Sequence, residues 1–166
     1  DPKAQEAMYR HFASKMYGVC LRFARNSMEA EDILQEGFIK VFTYLKDYRY
    51  EGSFEGWVRK TFVNTAINFY RRKSKELVEV SIDQSEISIP SQSTIIENMS
   101  ANELLGLIQK LPEGYRLVFN LSVVEGYTHK EIASLLGISE NTSKSQLSRA
   151  RNALQLKIQQ QKSKNK

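Results

Sequence analysis

The sequence predicts an all-α protein: two small helical domains joined by a flexible linker, the C-terminal one a helix-turn-helix. Three features carry this expectation. Apolar residues recur at helical spacing both before residue 74 and after residue 99. Three prolines and eight glycines in 166 residues leave long stretches free to be helical. Between the two periodic regions, 75–98 holds five serines and Pro90 but no aromatic residue, which suits a flexible tether better than a core element. The expected divisions are therefore 1–74, a linker at 75–98, a second domain at 99–160 and a basic tail at 161–166.

Each helix has its own signal. Met8, Phe12, Met16, Val19, Cys20 and Phe23 mark the first. Ala30, Ile33, Leu34, Phe38, Val41, Phe42 and Leu45 mark the second, with Glu29, Glu31 and Asp32 at its start, where the helix dipole favours negative charge. Two glycines and several aromatics break the pattern over 47–56, which reads as a loop. Trp57, Val58, Phe62, Ala66, Ile67 and Tyr70 then give a third helix over 54–74. After the linker, Ser100 with Glu103 three residues on has the signature of a helix N-terminus, and Pro112 separates that helix from the next, 113–124.

The last two helices carry the most information. Thr128 and Glu131 form a capping-box pattern that opens a short helix over 130–136. Gly137 supplies the left-handed residue that ends it, Ile138 plugs the turn, and Ser139 caps a final helix running through Leu147, Ala150, Leu154 and Ile158. Small Ala133 at the crossing and basic residues on the second helix complete a helix-turn-helix, a motif that lays its second helix in the major groove of DNA.

Charge agrees with a polyanionic partner. The net charge is +5 with a pI near 9.3. Arg59, Lys60, Arg71, Arg72, Lys73 and Lys75 form one basic stretch without an acid; Lys144, Arg149, Arg151, Lys157, Lys162, Lys164 and Lys166 form another. Lys75 against Glu76, Glu79, Asp83, Glu86 and Glu97 leaves the segment between them at −4. Two basic lobes on an acidic strap suggest two contacts on one long anion.

Several classes find no support. Cys20 is the only cysteine, sits among apolar residues and reads as a buried thiol; with His11 and His129 it makes no metal-ligand set, and no cofactor is expected. No nucleophile elbow or Walker loop occurs, so the chain is not expected to be an enzyme. Without an apolar run of about 18 residues or an N-terminal signal region, a cytoplasmic location with no membrane insertion is expected.

The motifs also carry a resemblance. Leu111-Pro112, Val118-Phe119, Glu125-Gly126-Tyr127, Glu131-Ile132-Ala133, Leu136-Gly137-Ile138-Ser139 and Lys144-Ser145 through Arg149-Ala150-Arg151 resemble region four of the extracytoplasmic-function sigma factors of bacterial RNA polymerase. Ala30-Glu31-Asp32-Ile33-Leu34-Gln35-Glu36 with Phe38, and Phe54, Trp57 and Val63-Asn64-Thr65-Ala66-Ile67-Asn68, resemble region two of the same family. Two departures stand out: Asn141-Thr142-Ser143 where the family often has Gly-Thr-Val, and Gln146 where many members have Arg. Both are expected to alter the DNA-facing turn, so a promoter preference does not carry over.

The resemblance implies a protein that binds core RNA polymerase, selects promoter DNA and helps open it, with an anti-sigma factor as a further partner. It assigns Lys144, Ser145, Ser148 and Arg149 to the upstream promoter element, with Arg151 on phosphate or in a structural ion pair. Arg59, Asn64, Asn68, Arg71 and Arg72 fall on or beside the helix that resembles the minus-ten reader. The loop before it, from Tyr50 to Ser53, is expected to hold the pocket for an unstacked base, with Tyr48, Phe54 and Trp57 around it; Phe54 and Trp57 fit a core role as well. Asp32, Leu34, Gln35, Glu36 and Phe38 resemble the polymerase-docking surface. A helix-turn-helix regulator that works without polymerase leaves the helix 30–38 and the loop 48–57 without a function, and a protein whose basic faces bind an acidic partner is a third reading.

Overall fold

The structure, a computed structural model, describes residues 1–76 and 99–164. The expected linker lies outside these residues, except for Lys75 and Glu76, whose backbone continues a helix. The chain divides into two compact units, Asp1–Val78 and Glu79–Lys166. Every regular element among the described residues is helical.

The first unit packs three helices, α1 (Pro2–Phe23), α2 (Ser27–Tyr44) and α3 (Phe54–Glu76), against one another. Each begins on a side-chain cap that satisfies an otherwise orphaned amide. Asp1 accepts from the Lys3 amide at 3.1 Å, Asn26 from Glu29 at 2.8 Å, and Ser53 from Gly56 at 3.0 Å. Gly56, where the expected loop and the expected helix overlap, lies within the first turn of α3.

Met16, Val19 and Phe23 of α1, Ile33 and Val41 of α2, and Val58, Phe62, Ala66 and Ile67 of α3 fill the core. Cys20 is buried there, and burial pushes its thiol up to about 12, as suits an inert core group. A tight contact between α2 and α3 depends on Gly37. A methyl group at that position would overlap the Phe62 ring, with Cζ 3.0 Å away and Cε1 and Cδ1 nearer still.

The second unit contains α4 (Ala101–Gln109), α5 (Glu113–Phe119), α6 (His129–Leu136) and α7 (Glu140–Lys164). Ser100 caps α4 by accepting from the Glu103 amide at 3.2 Å. Helical backbone continues beyond α5, but Asn120–Val124 forms a wider π turn rather than the α-helical end expected over 113–124. There the Glu125 amide donates to the Asn120 carbonyl at 2.9 Å and the Tyr127 amide to Leu121 at 2.8 Å. The basic tail expected from residue 161 is helical as far as Lys164. Leu107, Ile108 and Leu111 pack with Leu154 and Ile158 of α7, so the long last helix is the spine of this unit.

Candidate nucleic-acid interface

The helix-turn-helix forms as its local chemistry dictates. Thr128 and Glu131 make both halves of the capping box, the Thr128 hydroxyl accepting from the Glu131 amide at 3.1 Å and the Glu131 carboxylate from the Thr128 amide at 3.1 Å. Gly137 ends α6 at φ +67°, and the Ile138 amide donates back to Ala133 at 3.1 Å. Ser139 then caps α7, accepting from the Thr142 amide at 3.0 Å.

The face that α7 leaves outward follows from what it buries. Ser143, Leu147, Ala150, Leu154 and Ile158 form its inward stripe. Lys144, Ser145, Ser148 and Arg151 are exposed, and Arg149 lies half-buried at the margin. These are the residues expected at the upstream element, and one helix brings them together. The Ser145 hydroxyl donates to the Asn141 carbonyl at 3.0 Å.

The departures resolve differently from expectation. Ser143 is not on the outer face of α7: it is buried, its Oγ 2.8 Å from His129 Nδ1, which ties the start of α6 to the start of α7. Gln146 is half-buried with its amide beside Gly114 of α5. Of the residues that depart from the family pattern, only Asn141 stands in solvent.

In the first unit, aromatic rings gather at the loop before α3. Tyr48 lies 4.9 Å from Tyr50, 5.4 Å from Phe54 and 5.6 Å from Trp57 between ring centroids. The Tyr48 hydroxyl donates to the Gly52 carbonyl at 2.8 Å and closes the loop. Phe54 and Trp57 are half-buried and stack on each other, whereas Tyr50 is 87% exposed. Tyr50 also holds φ at +60°, a left-handed conformation that costs a residue with Cβ of order 1–3 kcal/mol. Ser53, expected in the pocket, spends its hydroxyl as the α3 cap.

Along α3, Asn64, Asn68 and Arg71 follow Trp57 down one face at i, i+4 and i+7. Arg59 does not join them; five residues before Asn64, it lies roughly 140° around the helix. Arg72 is turned aside too. Its guanidinium donates to both Glu36 carboxylate oxygens at 2.8 Å, a bidentate pair linking α3 to α2. The Arg72 guanidinium thereby holds the Glu36 carboxyl below the usual carboxylate range. Residues expected to meet different partners thus meet each other.

On α2, Asp32 and Gln35 are exposed and Leu34 is half-buried. Phe38 is a correction to the expected docking surface. It is only 4% exposed, with ring centroids 4.8 Å from Tyr9 and 5.1 Å from Phe62, so it supports the surface from beneath. The stripe Met28, Asp32, Gln35 and Ile39 forms the outward face instead, with Met28 72% and Ile39 65% exposed. Met28 and Ile39 were readable as large apolar residues lying off the buried Ala30, Ile33, Gly37 and Val41 stripe.

Glu29 was also missed. Expected only to favour the helix start, it is buried and accepts from Arg25 Nη2 at 2.5 Å, Lys73 Nζ at 2.6 Å and the Tyr70 hydroxyl at 2.6 Å. Burial pulls its pKa upward, but the hydrogen bonds from Arg25, Lys73 and Tyr70 outweigh that and hold it well below the ordinary value. Among the described residues, no group of His, Cys, Asp and Glu is placed to hold a metal ion. No helix among them is long and apolar enough to cross a membrane.

Comparison with known proteins matches both units, in order. The model for Sigma-70 region 2 matches residues 8–76 and that for Sigma-70, region 4 matches residues 101–154. The ECF RNA polymerase sigma factor SigE of Mycolicibacterium smegmatis is 28% identical over 154 residues, spanning 90% of this chain and 59% of the relative. This chain belongs to the extracytoplasmic-function sigma factors. The sigma-H factor of Pseudomonas aeruginosa is 26% identical to this sigma factor, covering 96% of the chain and 88% of the relative. Two solved structures share the fold. The Bartonella quintana sigma factor RpoE, solved with the anti-sigma factor NepR, gives a TM-score of 0.57 at 17% identity over 95% of this chain and 98% of that one. CnrH, solved with the cytosolic domain of CnrY, gives 0.51 at 18% identity over 96% and 90%.

Proposed function

We propose that this sigma factor binds core RNA polymerase through the exposed face of α2, reads an upstream promoter element with α7 and captures an unstacked minus-ten base at the Tyr50 loop. The observation that carries this is the coexistence of a helix-turn-helix with a basic outer face, an aromatic loop with Tyr50 exposed, and an α2 face that leaves Met28 and Ile39 in solvent. A helix-turn-helix regulator acting alone has no use for Met28 and Ile39 in water or for a strained, exposed Tyr50. On this reading the bond-making chemistry belongs to the polymerase, the chain itself is not an enzyme, and it acts in the bacterial cytoplasm. Residues 75–98 join the two reading units, and their four acidic residues beyond Glu76 suit passage along a basic surface of the polymerase. One solved neighbour, the Bartonella quintana sigma factor RpoE, is bound to the anti-sigma factor NepR, which supports an anti-sigma partner here.

The roles follow from elementary physics. Unstacking a base costs a few kcal/mol, and stacking on an aromatic ring returns about 1–3 kcal/mol per base. Tyr50 offers an exposed ring held away from the core, and Asn64 and Asn68 offer neutral donors and acceptors for base edges. Lys144 and Arg151 neutralise phosphate as α7 enters the major groove, and the Arg149 guanidinium beside them can bond a guanine edge or a phosphate.

The test is reconstituted transcription. Core polymerase with this chain should initiate at specific promoter sites, and core alone should not; equal site-specific initiation without the chain overturns the reading. Two variants probe its parts. Arg149→Ala should cost about 1–3 kcal/mol and relax selectivity at one upstream position if Arg149 reads guanine. Uniform weakening across promoter variants assigns it to phosphate. Asp32→Ala with Ile39→Ala should lower capture of core polymerase at least about tenfold, as loss of interface anchors does, while leaving the melting curve unchanged. Unaltered capture refutes docking through α2. Glu36→Ala is a poor probe, since it also releases Arg72.

A further inference from the structure

We propose that Asn141 reads an adenine of the upstream promoter element through its carboxamide, and so sets this sigma factor's sequence preference apart. The inference rests on the assignment of α7 to that element and names the residue that decides one of its bases.

Side chains in the first turn of a recognition helix reach base edges. Four residues stand there, and the structure commits two of them elsewhere. Ser143 is buried against His129 Nδ1. The Thr142 hydroxyl accepts from Ser139 Oγ at 2.8 Å while its amide serves the cap. Glu140 carries an acceptor-only carboxylate that phosphates repel. Asn141 is exposed and neutral, and it carries both a donor and an acceptor. One turn on, Ser145 has given its proton to the Asn141 carbonyl, so its hydroxyl is left as an acceptor and does not duplicate that chemistry.

Position agrees with chemistry. Asn141, Ser145 and Ser148 follow one another at i, i+4 and i+7, on the side of α7 away from the Ser143, Leu147 and Ala150 stripe. Exposed Lys144 beside them supplies charge for phosphate, a task an uncharged amide does poorly. Asparagine matches adenine specifically: its Nδ2 donates to N7 while its Oδ1 accepts from the N6 amino group. The two other unusual residues, Ser143 and Gln146, are turned inward, which leaves Asn141 as the change that DNA meets.

The experiment uses holoenzyme, core polymerase with the full chain, on promoters randomised across the upstream element. The parent protein should prefer adenine at one position. Asn141→Ala should lose about fivefold or more of that preference while keeping selectivity elsewhere, the range a lost bidentate base contact gives. Replacing that adenine by 7-deazaadenine, which lacks the N7 acceptor, should weaken the parent and add nothing in the variant. The substitution leaves the Ser139 cap untouched and places a good helix former at an exposed site, so the variant folds. Uniform weakening by Asn141→Ala, no change, or equal sensitivity of both proteins to 7-deazaadenine each overturns the proposal. A parent protein indifferent to the upstream element overturns the assignment of α7 itself, which is a separate failure.

Discussion

Gly37→Ala is expected to destabilise the first unit by about 2 kcal/mol, the range in which one extra carbon overfills a packed core. The added methyl gains up to about 1 kcal/mol of helix propensity, but it must enter space held by the Phe62 ring. That ring cannot simply swing away. It is wholly buried and set edge-on to Phe38 with centroids 5.1 Å apart. Either α2 lifts from α3 or the aromatic cluster repacks, and each forfeits close contact along the interface that carries Ile33, Val58 and Ala66.

Trp57 is the single tryptophan, so its fluorescence reports melting of this unit. A shift on the order of 10 °C downward is expected for a unit of this size. Gly106→Ala provides the contrast: Gly106 is also helical, but nothing lies within 4 Å of its added Cβ. There the same substitution should stabilise by about 0.5–1 kcal/mol. Combining Gly37→Ala with Phe62→Leu should cost less than the two separate losses added together, because one relieves the other. A Gly37→Ala protein as stable as its parent would show that α2 and α3 do not approach as closely as described.

What was legible in the sequence was decided within a turn or two of chain. Thr128 and Glu131, Gly137 and Ser139 act on backbone groups three or four residues away, so their spacing alone identifies the helix-turn-helix. The core stripes of α1, α2 and α3 were readable for the same reason. Contacts fixed by how helices meet were not. Glu36 and Arg72 are 36 residues apart, and each taken alone looks like a free surface charge. Phe38 matched a docking position by resemblance, yet its place above Phe62 depends on the α2–α3 approach that Gly37 permits. The π turn at Asn120–Val124 gave no signal, since its residues suit an α-helix equally well. Ser143 looked like a change on the DNA face because its partner, His129, lies on another helix.

Glu29→Gln is expected to cost the first unit about 2 kcal/mol at pH 7 and to flatten its stability against pH. The carboxylate is buried and accepts from three side chains, and it joins the start of α2 to the end of α3 through Tyr70 and Lys73. Tyr70 extends the link, since its hydroxyl also accepts from the Arg25 amide at 3.0 Å. Charge-assisted hydrogen bonds of this kind contribute about 1.5–3 kcal/mol each when buried. The total falls well short of their sum, because Arg25 and Lys73 are partly exposed and water replaces Glu29 around them. The pH dependence follows from the direction of the shift. Glu29 is held far below its unfolded value of 4.5, so the folded state keeps it ionised after the unfolded state has taken up its proton. Its contribution is fully present above about pH 5, and it is lost progressively as pH falls below 4.5 toward the folded value. Glutamine does not titrate, so the gap between parent and variant should be widest near neutrality and narrow below pH 4. Glu36 and Glu55 are also held low by Arg72 and Lys15, but both remain in the two proteins and cancel in the difference. Urea melts followed at Trp57 from pH 3 to 7 measure that difference directly. Parallel curves across the range would mean that Glu29 acts through shape alone, and that the ionised network does not hold α2 to α3.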